Sequence, residues 1–213
     1  ARGPSRRLSA EQIRDLALAA SALLDRRTGG PPVSPYQPGG DLWRETNPMS
    51  PAYHESTGKD LYRRSLYSVW KRTAPLPNML AFDAVTREVC TVSRGRTNTP
   101  LQALVLLNDV QFVESARALA SDVSRRHTDL QDRIREAFLR LTGRSPDDEE
   151  LRLLSELCNQ QRQLFANKDK GEAAKFVQLG EVAPDTTLKP VDLAALTVTC
   201  QAILNLDAAI YER

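Results

Sequence analysis

EVCTVSRGRTNTPLQALVLLND, residues 88–109, decides how this chain is read, because it runs from a polar extended stretch into a helix with a complete start signal. Thr99 is placed as the N-cap. Pro100 falls at the first helical position, where its missing N–H costs nothing, and Gln102 completes a Thr-x-x-Gln capping box. Arg94, Arg96 and Asn98 stand just upstream, so donors gather where a helix presents unpaired N–H groups and the positive end of its dipole. That pattern predicts a holder of anions or carboxylates. From Leu101 to Leu107 the helix is apolar nearly all round, which predicts burial on most sides. Asn108 and Asp109 predict a break before a second helix over 110–123.

Behind this junction the periodicity is helical to the end of the chain. Thr128 with Gln131 predicts the start of a helix carrying Ile134, Phe138 and Leu141 and ended by Gly143. Ser145, Pro146 and Asp148 predict the next, with Leu151, Leu154, Leu157, Leu164 and Phe165 facing inward. A short helix follows over about 171–179, and Pro190 opens a last one to about Ile210. No period of 20 to 50 residues repeats, which argues against a solenoid.

Ahead of the junction, Ser9 and Gln12 form a capping box before an amphipathic helix expected from Ala10 to Arg26, stopped by Gly29 and Gly30. From there to about Asn78, eight prolines break any long helix. Such a segment normally means function or contact with another surface. Disorder is disfavoured, since Trp43, Trp70, Tyr36, Tyr53, Tyr62 and Tyr67 all lie in it and disordered linkers are poor in aromatics. The rings are expected to pin the segment to a surface. Residues 63–72 fit a short strand pairing with 88–93, the preferred reading, and also a helical turn or two.

The expected fold is therefore mainly α: an irregular helical array with a long Pro/aromatic-rich loop segment and at most one short β-hairpin. One domain is expected over 1–213, as a C-terminal fragment of a larger protein. Residues 1–100 would hold the first helix and the extended segment, and 101–213 the helical array.

Composition bounds the chemistry. At 213 residues with a net charge of +2, the chain carries no general nucleic-acid signature, although its first hundred residues are mildly basic. Arg outnumbers Lys by 23 to 6, and guanidinium favours bidentate pairing with carboxylates and oxyanions. No apolar run is long enough to span a membrane. Cys90, Cys158 and Cys200 have neither zinc-ribbon nor haem-attachment spacing, so no metal site is expected in this segment. Cys158 and Cys200 read as small buried hydrophobes, with a disulfide between them left open. Two histidines, His54 and His127, are too few for most zinc sites, and no nucleophile elbow, Walker loop or dinucleotide fingerprint occurs.

The candidate binding constellation is Arg72, Asp83, Arg94, Arg96, Asn98, Thr99 and Gln102, with Trp43 and Trp70 as stacking surfaces. Its bland reading is a set of ion pairs stapling the irregular segment to the helices. A hydrolytic reading would need Asp83 to converge with His54 or Glu88. No catalytic residue is assigned. The guanidinium-rich turn and the ring-bearing coil are expected to share one docking face.

At these residues the chain resembles the planctomycete-specific domain numbered one in its series, a domain of unknown function at the C-terminus of cytochrome-c-like proteins. The likeness rests on RRLSAEQIRD (6–15), GGPPVSPYQPGGDLW (29–43), DLYRRSLYSVWKRTAPLPNMLAFDA (60–84), REVCTVSRGRTNTPLQALVLLND (87–109), AFLRLTGRSPDDEEL (137–151) and QAILNLDAAIYER (201–213). Gly95, between Arg94 and Arg96, departs from the pattern and would loosen the two guanidinium groups. The resemblance implies an exported, periplasmic or cell-surface protein whose haem c sits in an upstream domain. It implies partners in the upstream domains of the same polypeptide and a link to polysaccharide degradation. The expected role is a non-catalytic C-terminal interaction module. The alternatives are a binding module for sulfated or acidic polysaccharide and a hydrolase-like domain.

Overall fold

The computed structural model describes residues 5–37, 44, 47–49, 51–167 and 171–212. Their order is β1 (Arg6–Arg7), α1 (Ala10–Ala20), two 3-10 turns (Gly58–Tyr62 and Ser65–Tyr67), α2 (Pro77–Ala81), α3 (Pro100–Asn108), α4 (Val110–Arg126), α5 (Leu130–Thr142), α6 (Asp148–Asn167), α7 (Glu172–Phe176), α8 (Pro190–Leu204), α9 (Asp207–Ile210) and β2 (Tyr211–Glu212). The chain is mainly helical.

Helix α8 is the axis of the array. Its apolar residues face every direction, and Leu193, Ala194, Ala195, Leu196, Cys200, Ile203 and Leu204 are all buried, as expected of a helix surrounded by others. It packs chiefly on α4 and α6, with α5, α7 and α3 closing the ring, while α1 lies against α4 and α5. One apolar cluster runs from Ile13 of α1 through Phe112 and Val123 of α4 and Phe138 of α5 to Ile210 of α9. Each fully buried Leu, Ile or Phe there contributes roughly 1.5–3 kcal/mol.

Caps set most of the boundaries. Ser9 and Gln12 make both halves of their capping box, at 3.3 and 2.9 Å. Helix α5 starts from Asp129, whose carboxylate accepts from the Gln131 and Asp132 amides, one residue later than expected. Asp147 and Glu150 form a reciprocal box at the head of α6, in the role expected of Ser145. Asp109 ends α3 and caps α4 through the Gln111 amide, at 2.9 Å.

Three expectations are corrected. Helix α1 stops at Ala20, because Ala22 turns left-handed at φ 61° and Leu23 and Leu24 both donate to the Leu18 carbonyl. Those two leucines pack instead in a small cluster with Leu18, Leu61 and Tyr62. Residues 63–72 form no hairpin with 88–93: Ser65–Tyr67 is a 3-10 turn, and Val33 bridges to Ser68 instead. The antiparallel pair among the described residues joins the two ends of the chain, Arg6 opposite Glu212 and Arg7 opposite Tyr211. Helix α3 is not buried on most sides, since Leu101, Leu104 and Leu107 are 57, 55 and 41% exposed. At spacings of three they form one stripe facing solvent.

Candidate functional site

The arginine-rich helix start is closed by its own polar groups. Arg94 grips the Glu11 carboxylate with both oxygens at 2.9 Å. Arg96 donates to the Arg7 carbonyl at 2.6 Å, and Thr97 donates to Asp83 from its amide (2.7 Å) and its hydroxyl. Thr99 caps the Gln102 amide, but the return half of the box is missing. The Gln102 carboxamide is buried, and the Arg7 guanidinium takes its oxygen at 2.7 Å while its nitrogen donates to Thr97. A charge-assisted bond outcompetes the neutral one to the cap backbone. The cavity among Arg7, Asp83, Arg94 and Arg96 measures about 10 Å³.

Other residues of the constellation lie outside this knot. Arg72 and Asn98 are exposed. Trp70 donates to the Thr86 carbonyl at 3.0 Å, and Arg87 sits 5.0 Å from its ring centre. Trp43 lies outside the described residues. His54 and Glu88 are exposed, and among the described residues neither shares a hydrogen bond or ion pair with Asp83.

The ring-bearing coil is fastened elsewhere, to the α1 and α4 side, by residues that sequence reasoning did not single out. Arg14, 2% exposed, donates to the Leu61 and Arg63 carbonyls at 2.8 Å, to Ser65 and to the Gln111 carboxamide. Burial pushes its guanidinium down to about 10, against the pull of Asp15 and Asp109, so it stays charged at neutral pH. Arg63 lies over the Tyr67 ring at 3.9 Å and donates to the carbonyls of Gly29 and Pro31. Arg117 donates to the Val182 carbonyl at 2.5 Å.

Glu114 is the centre of a clamp. Fully buried, it accepts from the Tyr36 hydroxyl (3.0 Å), the Tyr62 hydroxyl (2.9 Å) and the Val182 amide (2.7 Å), with Arg117 at 3.8 Å. Desolvation, then the neighbouring Glu114 charge, drives both tyrosine hydroxyls far above their ordinary range, so they remain donors. The signal in the sequence was slight: Glu114 and Arg117 stand three apart on a helix face between Val113 and Leu119.

Beside this clamp opens a cavity of about 420 Å³, walled by Tyr36, Gln37, Glu55, Asp109, Gly180 and Glu181. Backbone amides orient its carboxylates: Gln37 N donates to Glu55, Gln111 N to Asp109 and Gly58 N to Glu181. Burial lifts Asp109 above the usual carboxylate range, against the Gln111 amide, Asn78 and Arg14, which pull it down. Gln37 is 7% exposed, and among the described residues neither polar atom of its carboxamide has a partner. Thus a polar cavity near the coil lies at the α3–α4 corner, away from the arginine-rich turn.

The three thiols are unbonded; Cys90 is exposed, and burial raises both Cys158 and Cys200. His127 is engaged by Glu136. Among the described residues no three His, Cys, Asp or Glu side chains are grouped to hold a metal ion, and no helix is long and apolar enough to cross a membrane.

The family described as PSD1, protein of unknown function (DUF1553), matches residues 1–158. That is most of the chain, ending within α6; the axial helix α8 lies beyond the matched stretch. No curated protein and no solved structure is matched. The chain belongs to the PSD1 (DUF1553) family, the one that its sequence resembles.

Proposed function

We propose that this PSD1 chain is a non-catalytic C-terminal interaction module of an exported cytochrome-like protein, which packs the α3 face against an upstream, haem-bearing domain of the same polypeptide. The observation that carries this reading is the stripe of Leu101, Leu104 and Leu107, each 41–57% exposed. Covering the exposed half of three leucines is worth on the order of 3 kcal/mol of apolar burial. Val89 and Val92, at 74 and 104% exposure in the preceding loop, add apolar surface on the same stretch of chain. The polar groups at the foot of α3 are spent on one another, which supports a shaped docking edge over an anion trap. The link to polysaccharide breakdown comes from the resemblance alone.

Titrating the purified chain against the separately expressed upstream domain, by calorimetry, tests this. Leu101→Lys and Leu104→Lys are expected to weaken association by about tenfold or more each, at a stability cost of about 0.5 kcal/mol or less, because both sites are exposed. Association undiminished in both variants, or absent in the unaltered chain, refutes the reading.

A further inference from the structure

We propose that the cavity between the heads of α5 and α8 and the flank of α6 binds a tetrahedral oxyanion, a free sulfate or phosphate or the same group on a larger molecule, held between the guanidinium groups of Arg133 and Arg162.

The cavity measures about 190 Å³ and is walled by Thr128 and Arg133 from the start of α5, Cys158 and Arg162 from α6, and Asp192 and Leu196 from α8. Arg133 carries the proposal. It is partly buried, its Nε donates to the His127 carbonyl at 2.9 Å, and its Nη1 and Nη2 have no partner among the described residues. A guanidinium fastened at Nε has its orientation fixed, while its two free nitrogens keep the donors with which arginine grips oxyanions.

The balance of charge selects an anion. Two guanidinium groups share this space with one carboxylate. Arg162 donates to Asn159 and lies 3.9 Å from Asp192, with both ion-pair partners about half exposed. An exposed pair that long is weak and yields to a closer anion. Asp129, next to Thr128 in sequence, is spent on the Gln131 and Asp132 amides that it caps. Burial raises the Cys158 thiol, and the Thr199 hydrogen bond and both guanidinium groups pull against it, so the two positive charges are felt together on the cavity wall. Helix α8 begins without a side-chain cap, and its dipole adds to the same sign.

Shape narrows the ligand further. A space near 190 Å³ falls below the roughly 300–1,000 Å³ of sites that enclose a whole small molecule, so it suits a single group. Thr128 adds a hydroxyl donor from the turn ahead of α5. Donors on separate elements match four oxygens that point in different directions better than the two coplanar oxygens of a carboxylate.

Calorimetry on the full chain provides the test, with sodium sulfate, inorganic phosphate and glucose 6-phosphate as probes, acetate as the planar control and sodium chloride holding the ionic strength constant. At least one probe is expected to saturate with a Kd on the order of 1 mM, and to bind more tightly than acetate. Glucose 6-phosphate ahead of phosphate marks the group on a larger molecule as the ligand, and the reverse order marks the free ion. Arg162→Gln, at an exposed site, should weaken binding by about fivefold or more, and Arg133→Lys, which keeps the charge and loses the fork, by about threefold or more. Asp192→Asn should tighten it by about threefold, because a competing carboxylate is removed; a merely structural Asp192 would not give that gain. Arg94→Gln should leave it unchanged, which separates this site from the other arginine-rich turn. Unfolding midpoints of each variant separate loss of fold from loss of contact. The proposal is overturned if no probe saturates by about 50 mM, if acetate binds as tightly, if Arg162→Gln and Arg133→Lys both bind as before, if Asp192→Asn weakens binding, or if Arg94→Gln weakens it as much as Arg162→Gln does.

Discussion

Replacing Gly180 with alanine puts the Glu114 clamp to a quantitative test, with Gly143→Ala as its internal control. Both glycines hold positive φ, 90° and 75°. An L-residue there costs about 1–2 kcal/mol, so that part is common to both. They differ in what the new methyl group meets. At Gly143 nothing lies within 4 Å, whereas at Gly180 the Cβ would stand 2.5 Å from Glu114 Oε1 and 2.8 Å from its Cγ. A side chain usually swings away from such a clash. Glu114 cannot do so freely, because moving it strands the Tyr36 and Tyr62 hydroxyls and the Val182 amide. Either the overpacking stays, at about 1–3 kcal/mol, or bonds to a charged acceptor are lost at about 1.5–3 kcal/mol each. Gly180→Ala should therefore cost at least about 2 kcal/mol more than Gly143→Ala, roughly 4–8 °C of additional Tm loss for a chain of this size. Urea unfolding followed by tryptophan fluorescence gives both values. Glu114→Ala combined with Gly180→Ala should recover most of the excess, a coupling of about 2 kcal/mol. Equal costs for the two glycines, or additive behaviour in the double variant, would sink the clamp.

Arg14→Met strands the Leu61 and Arg63 carbonyls and the Gln111 carboxamide, so a loss of about 3–5 kcal/mol is expected in urea unfolding. Arg14→Lys should recover little, because an ammonium cannot reproduce the planar fork. Asp122 and Glu136 are pulled upward by burial, but hydrogen bonds from Arg140 and Arg126 to Asp122, and from His127 and Arg140 to Glu136, outweigh this and hold both below their ordinary range. Their contribution is thus complete above the unfolded carboxylate values near 4 and lost as pH falls through the depressed ones. The urea midpoint should drop between about pH 5 and pH 3, and the drop should shrink in Glu136→Gln. Asp109 has the opposite sign, since burial raises it. Asp109→Asn keeps a capping oxygen for the Gln111 amide and should be neutral or stabilising at pH 7, an advantage that fades on acidification; destabilisation at pH 7 would contradict this.

The helices after Thr99 were legible because their cores recur at helical spacing, and caps such as Ser9 with Gln12 act within four residues. Signals that depend on distant partners were not legible. Gln102 was placed to close a capping box, but its oxygen goes to Arg7, 95 residues away. The partners of Glu114 lie 52, 68 and 78 residues off, so on its own helix it resembles an ordinary polar interruption. The run 63–72 alternates well enough for a strand, yet the guanidinium of Arg14 and the carboxylate of Asp15 take up its Arg63 carbonyl and Ser65 amide. The leucine stripe of α3 misled for another reason: an all-apolar helix predicts burial only if the chain itself supplies the cover.

The surplus of arginine over lysine acquires a structural meaning from these contacts. A coil without a sheet ladder leaves carbonyls that must still be paired when they are buried. One planar guanidinium can serve several at once, and Arg14, Arg63 and Arg117 do so for the carbonyls at 29, 31, 61, 63 and 182. A lysine at any of these sites would offer a single compact charge that is dearer to desolvate. The coil is thereby spent on the α1 and α4 side of the molecule, where Tyr36 and Tyr62 reach Glu114. The leucines of α3 stay exposed, and it is on that stripe that the proposed packing against a neighbouring domain rests.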